Sequence, residues 1–545
     1  MFLSRVSKSV GRALTVALIG VLTVGSSASP LPDSRTALAV ARLSQPTQVI
    51  ARGLAVNKEK LREFYSVRAF RLAWDENCVG LGARAATVYD ALMSASADGL
   101  EPSDYHVREI GQLAAAVSDV ERTERDFLIT DGLLRYAEDL GAGRLGPRQT
   151  DERTQLAETG GLILYLARAA ALDPEPLAAL LAALPPVTPE YTALKQELPE
   201  LRRLVESGGW QPLPDGESIH PGNHDPAVPA LRQRMIVEGW LRGGTTPAAK
   251  ANPEFYDSSL ASAVAAFQAK HAIRADGVIG KDTRAALDLP AEARLHQAIV
   301  NMERARWGDL PRVGRAVEVN LAAYALNVYQ DGQPVLNMPV VVGSSDNQTP
   351  IISTQITTVV LNPNWTVPPN VIKEILPRIR QDSDYLAGRG IVRIVEGGHV
   401  RLVQPPGPTN PLGRYKFIMP NDQDIYLHDS PDVVKFHYAL RAYSHGCVRL
   451  KNAAALAALL LDDRVSTIPD GLDGIVQKGE TRHIALSKPV PVALVYRTTW
   501  LDGGGRLVFG PDAYGRDERL WKAMHKPRAP AMGRFASQAS KGSLL

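Results

Sequence analysis

The sequence predicts a multidomain α+β protein with a helical N-terminal scaffold, a small three-helix module and a β-rich, β-sandwich-like domain. Three observations carry that expectation. At 545 residues the chain exceeds what one ordinary core organises. From about residue 34 to 211 it is rich in Ala and Leu at period-3.6 spacing. Beyond residue 313 short runs of Val, Leu, Tyr and Asn come near to alternation. Hydrophobic residues make up 45% and charged residues 22%, the balance of an ordinary folded protein. The 61 basic and 58 acidic residues leave a formal charge of only +3, without a long basic run, which argues against a nucleic-acid partner.

The elements follow in order. Arg5, Lys8 and Arg12 flank an apolar stretch at 13–25, and the small residues Ser26, Ser27 and Ala28 precede Pro30. Residues 1–28 thus read as a secretory signal peptide cleaved after Ala28. The apolar stretch is short for a transmembrane helix, so no stable membrane span is expected after cleavage, and an uncleaved inner-membrane anchor is the competing reading. In the scaffold, Phe127, Leu133, Leu134, Tyr136 and Leu140 share a helix face, which Gly141, Gly143 and Gly146-Pro147 should end. Residues 212–228, with several Pro, Gly and Asp, read as a linker. The module at 229–289 has Leu231, Met235 and Leu241 on one helix, Val264 and Phe267 on a second, and an Asp276-Gly277 turn before a third. After a helical connector near 291–307, the β-rich domain spans 313–500, with Asp331-Gly332 as a hairpin turn. Residues 525–545 read as a disordered tail.

An exported chain with only Cys78 and Cys447 can hold one disulfide or keep a thiol free because it reacts. The surroundings of Cys447 favour reaction. His428 lies 19 positions upstream, Ser444-His445-Gly446 leads directly into Cys447, and Arg449 follows. Acyl transfer by cysteine needs a thiolate, and a nearby imidazole can take its proton. A glycine before the nucleophile permits a sharp turn, and backbone N–H groups there can hold an oxyanion. Arg449 adds positive charge for the thiolate or for a substrate carboxylate. Tyr426, two positions from His428, shares its strand face. His428, His437, His445 and Cys447 are also zinc-type ligands, but their spacing matches no familiar zinc site. Cys78 has no His or basic neighbour and reads as a packed thiol.

The pattern H-x15-S-H-G-C-x-R resembles the signature of the L,D-transpeptidase (YkuD-type) catalytic domain. Its flanks agree: Gly343 with Gln348-Thr349-Pro350, Asn362-Pro363-Asn364-Trp365, and Pro406-Gly407-Pro408 with Asn410 and Gly413. They resemble the large periplasmic YcbB-type branch. Phe267-Gln268, Asp276-Gly277-Val278-Ile279-Gly280 and Thr283 resemble a peptidoglycan-binding domain, and Phe64-Tyr65, Trp74 and Asp98-Gly99-Leu100 fit the branch's scaffold. The resemblance implies that Cys447 attacks the carbonyl between the third and fourth residues of a donor tetrapeptide stem, releasing D-alanine. A neighbouring stem's amine then resolves the thioester as a 3→3 cross-link. His428 would be the base, Gly446 and Cys447 the oxyanion site, Ser444 and His445 supporting positions, and Tyr426, Trp365 and Arg449 substrate contacts. No metal or organic cofactor is implied. Carbapenems are the expected acylating inhibitors, and the periplasm the expected address. Alternatives are hydrolysis by the same acyl-enzyme (L,D-carboxypeptidase or endopeptidase), attachment of a protein to the wall, or a wall-binding scaffold without catalysis. Between Trp365 and Pro406 the chain is shorter than fuller members of the branch, where an active-site capping insert lies.

Overall fold

The computed structural model describes residues 33–45, 50–76, 80–145, 150, 161–241, 250–308, 313–464 and 469–526. The signal-peptide reading of 1–28, the Gly146-Pro147 stop, Cys78 and the tail beyond Lys526 lie outside the described residues. Among the described residues no helix is long and apolar enough to cross a membrane.

The N-terminal unit is helical and organised around helix Asp119–Ala142, which starts eight residues before Phe127, the first of the face-sharing residues that mark it in the sequence. Ser118 sets that start: its hydroxyl accepts from Glu121 N–H and donates to the Glu121 carboxylate, a capping box. Gly143, at φ +81°, caps the other end. The helix is buried on nearly every side, so its polar residues need internal partners. Asp126 accepts from Tyr65 Oη at 2.5 Å and from the backbone N–H groups of Ala73 and Trp74. That carboxylate joins the helix to the Phe64-Tyr65 and Trp74 segments around one core.

Among the described residues of the small module, helices Val228–Val237, Ser258–Lys270 and Lys281–Asp288 pack around Leu231, Met235, Val264, Phe267 and Leu287. Gln268 staples its turn by accepting from Gly277 N–H and donating to Val278 O and Thr283 Oγ1. The stretch 212–228 is a correction to the linker reading. Ile219 is buried and bridges Ile279, while Arg284 donates to Pro214 O and Glu217 O. Its Pro- and Gly-rich composition suits extended chain, and here that chain is bound to the module.

The connector is helix Ala291–Arg306, buried between helix Pro189–Glu206 and the C-terminal segment. Gln297 donates to Thr498 O and Gly510 O, and Asn301 exchanges hydrogen bonds with Thr498.

Among the described residues the β-rich domain is built on a nine-stranded sheet. Its strands are β1 (Arg315–Asn320), β2 (Ala325–Gln330), β3 (Gln333–Gly343), β4 (Ile352–Leu361), β5 (Tyr415–Ile418), β6 (Leu427–His428), β7 (Ala442–Ser444), β8 (Val448–Leu450) and β9 (Arg482–Val495). Their spatial order is β7-β3-β8-β6-β5-β4-β9-β1-β2, and β2 pairs back onto β3, closing the sheet around its core. Asp331 and Gly332 both take positive φ and join β2 to β3 with the predicted tight turn. Inside lie Val317, Leu326, Val340, Val342, Phe417, Leu427, Val448 and Leu450. Between β4 and β5 residues 365–404 form a flap: strand Trp365–Thr366, helix Pro369–Gln381, and the hairpin Val392–Glu396 with His399–Gln404.

Candidate active site

Strand alternation builds the site. Phe417, Leu427, Val448 and Leu450 point into the core, so their neighbours Lys416, Tyr426, His428, Cys447 and Arg449 belong to the opposite face. Register aligns them: β5 places Lys416 opposite His428, and β8 places Arg449 beside His428. Val448 N–H donates to Tyr426 O, which brings Cys447 level with Tyr426. One His, one Cys, one Tyr and two cations thus converge from three strands.

Cys447 follows a turn that only glycine accepts readily, with Gly446 at φ +118°. Ser444 ties that turn together, its hydroxyl donating to Cys447 O at 2.6 Å and accepting from Gly446 N–H at 3.2 Å. The Gly446 amide is therefore engaged, whereas that of Cys447 meets no acceptor among the described residues. The thiol reaches Asp424 O at 3.9 Å and has no disulfide. Burial pushes the thiol's pKa up, opposed by hydrogen bonds from Tyr426 and by the charges of Lys416 and Arg449.

His428 is buried, with Nδ1 2.5 Å from Asp429 O. A carbonyl can only accept, so Nδ1 carries the proton and Nε2 keeps its lone pair. Burial first, then Arg449 and Lys416, pull the pKa of His428 down to about 3, against the Asp429 bond. Burial thus favours the uncharged form of both the imidazole and the thiol. Burial drives the Tyr426 phenol strongly upward, with the sulfur adding to the shift. Its ring lies 5.8 Å from that of His428 and carries Lys416 Nζ 3.7 Å from its centroid. Arg449 Nε is buried without a hydrogen-bond partner.

Two of the sequence candidates stand apart from this face. His445 is exposed and pairs with Glu374 of the flap helix, Nε2 to Oε2 2.9 Å. Trp365 packs on the flap's own core of Val367, Ile391 and Leu402. His437 is exposed, and among the described residues no three of His, Cys, Asp and Glu converge as a metal site. Sequence reasoning passed over Lys416. The alternation of Tyr415, Lys416, Phe417 carried the signal for its face but not for its neighbours. It also left Thr349 without a role, although Thr349 Oγ1 donates to Gly446 O at 2.6 Å.

The closed sheet that carries this cluster follows two helical units, and comparison with known proteins matches each of the three to a domain family. Residues 314–472 match the family model of the YkuD L,D-transpeptidase catalytic domain, residues 59–198 a scaffold domain, and residues 224–287 a "Putative peptidoglycan binding domain". The chain thus carries a YkuD-type L,D-transpeptidase catalytic domain. A curated Haemophilus influenzae protein named "Putative L,D-transpeptidase" is 31% identical over 237 residues, covering 40% of this chain and 48% of the relative. The match thus spans about half of that relative's length. Among solved structures, the L,D-transpeptidase LdtMt1 in complex with imipenem aligns at 16% identity and TM-score 0.19, over 33% of this chain and 59% of its own. The L,D-transpeptidase of Xylanimonas cellulosilytica aligns at 18% and 0.17, over 52% and 98%. At such scores these structures add nothing to the assignment, which rests on the family models.

Proposed function

We propose that the protein is a periplasmic L,D-transpeptidase forming 3→3 cross-links in peptidoglycan, with Cys447 as nucleophile and His428 as base. The observation that carries the proposal is the convergence of Cys447, His428, Tyr426, Lys416 and Arg449 on one sheet face beside the Gly446 turn.

The thiol of Cys447 attacks the carbonyl between the third and fourth residues of the donor stem, and its proton passes to His428 Nε2. The tetrahedral oxyanion takes the Cys447 N–H. Collapse breaks the peptide bond, and the proton held by His428 leaves with D-alanine. The third-residue amine of an acceptor stem then attacks the thioester, gives its proton to His428 and restores the thiol. The lowered pKa of His428 works against taking a thiol proton, and part of that lowering, after burial, comes from neighbouring charge. Arg449 and Lys416 both depress His428. A stem carboxylate seated against them cancels that effect, and the anionic substrate raises its own base. The peptidoglycan-binding module suits a wall-bound substrate.

Intact-mass spectrometry tests this. Wild-type protein should gain one carbapenem adduct and, with tetrapeptide-stem disaccharides, produce cross-linked dimers. Cys447→Ala should do neither. Adducts with hydrolysed stems and no dimers would replace cross-linking by L,D-carboxypeptidase action, and an unreactive, folded wild type would leave a wall-binding scaffold.

A further inference from the structure

The nucleophile turn is held from outside its own strands. Thr349 is completely buried, and its hydroxyl accepts from Gly343 N–H at 2.8 Å while donating to Gly446 O at 2.6 Å. Tyr514, far along the chain, closes the bracket: its hydroxyl donates to Gly343 O at 2.6 Å and accepts from Thr349 N–H at 3.3 Å. Gly343 has to be glycine, because a Cβ there would lie 2.0 Å from Asn347 O. Tyr514 is fixed in turn. Its ring stacks on Tyr496 at 5.4 Å, and its N–H donates to Tyr496 Oη, which donates to Asp512. Tyr514 lies in the segment bound to helix Ala291–Arg306 through Thr498 and Gly510, and beyond residues 314–472 of the family match.

Gly446 C=O and Cys447 N–H belong to one planar trans peptide, so they point in opposite directions. A short hydrogen bond that fixes the carbonyl therefore also aims the amide. We infer that Thr349 and Tyr514 are positioning residues for catalysis: they lock the Gly446–Cys447 peptide so that Cys447 N–H is directed at the developing oxyanion. The inference rests on the acyl-transfer reading of Cys447 and gives the C-terminal segment a part in that chemistry. Neither residue touches substrate; each acts through the peptide it holds.

Two reactions of the same sulfur separate aim from simple folding. Acylation by imipenem passes through an oxyanion, whereas alkylation by iodoacetamide at the thiol does not. In the full-length protein, Thr349→Val and Tyr514→Phe should each slow imipenem acylation by about tenfold or more, part of the loss that follows removal of an oxyanion donor. Iodoacetamide alkylation should stay within about twofold of wild type, since no oxyanion donor takes part in it. Thr349→Ser keeps the hydroxyl and should recover acylation. Equal losses in both reactions, no loss in either, or failure of the serine to recover acylation overturns the inference. Wild-type protein that imipenem never acylates overturns the transpeptidase reading itself, and this inference with it.

Discussion

The nucleophile face and the flap opposite it are built by different rules. The face stands on a closed sheet whose core includes Phe417, Leu427 and Val448, all fully buried, and its turn is tied by hydrogen bonds from Ser444 and Thr349. In the flap, helix Pro369–Gln381 has no buried residue, and Val392, Val395 and Val400 of its hairpin are exposed. Its contact with the nucleophile turn is the solvent-open His445–Glu374 pair, a kind of interaction worth about 1 kcal/mol or less. The contrast teaches that the groups needing sub-ångström placement sit on the part with the deepest core. The flap has only a shallow core of its own and an exposed pair to the turn, the features of a part with low local stability.

The sharpest way to break this comparison is through the base. His428→Gln should reduce imipenem acylation by roughly 10²- to 10⁴-fold, the range of general-base catalysis, while melting stays within a few degrees of wild type. A loss no greater than that of His445→Gln would move the base out of the rigid face and toward the flap.

A second contrast compares packing. Phe417→Ala should cost about 3–5 kcal/mol in denaturant unfolding, since it empties a fully buried site. Ile375→Ala on the half-buried flap helix should cost about 1 kcal/mol or less, because little area is lost. Similar values for both would end the distinction between firm face and loose flap.

The smallest effect concerns charge. Lys416 and Arg449 lower the thiol's pKa against the rise caused by burial, so Lys416→Met or Arg449→Met should raise it further. The pH profile of iodoacetamide alkylation should then move to higher pH, with a slower reaction at fixed pH below it. In wild type the rate should climb through the thiol titration above pH 9 and show no step at 6.5, because His428 remains neutral down to about 3. A step near 6.5 would mean a charged imidazole beside the sulfur. The same depressed pKa makes stability depend on pH in one direction. The unfolded chain protonates His428 below about 6.5 while the folded chain does not, so stability falls as pH drops from 6.5 toward 3.

What the sequence determined on its own was local. Period-3.6 spacing marked the helical half, the Asp331-Gly332 turn marked a hairpin, and the Ser444–Cys447 run marked the glycine turn before Cys447. A strand's two-residue repeat also placed Tyr426 with His428, because the two share one stretch of chain. What joins strands far apart in the chain waited on the fold. Lys416 meets His428 through ladder register, and a slip of one residue would have turned it into the core. Thr349 reaches Gly446 across 97 positions, and Tyr514 reaches Gly343 across 171. The stretch 212–228 looked like a linker because Pro and Gly report what backbone is permitted, not what it pairs with. Spacing along the chain sets which side chains share a face. Only closure of the sheet, by pairing strands that lie far apart in sequence, decides which faces meet and which hydrogen bonds hold the nucleophile in place.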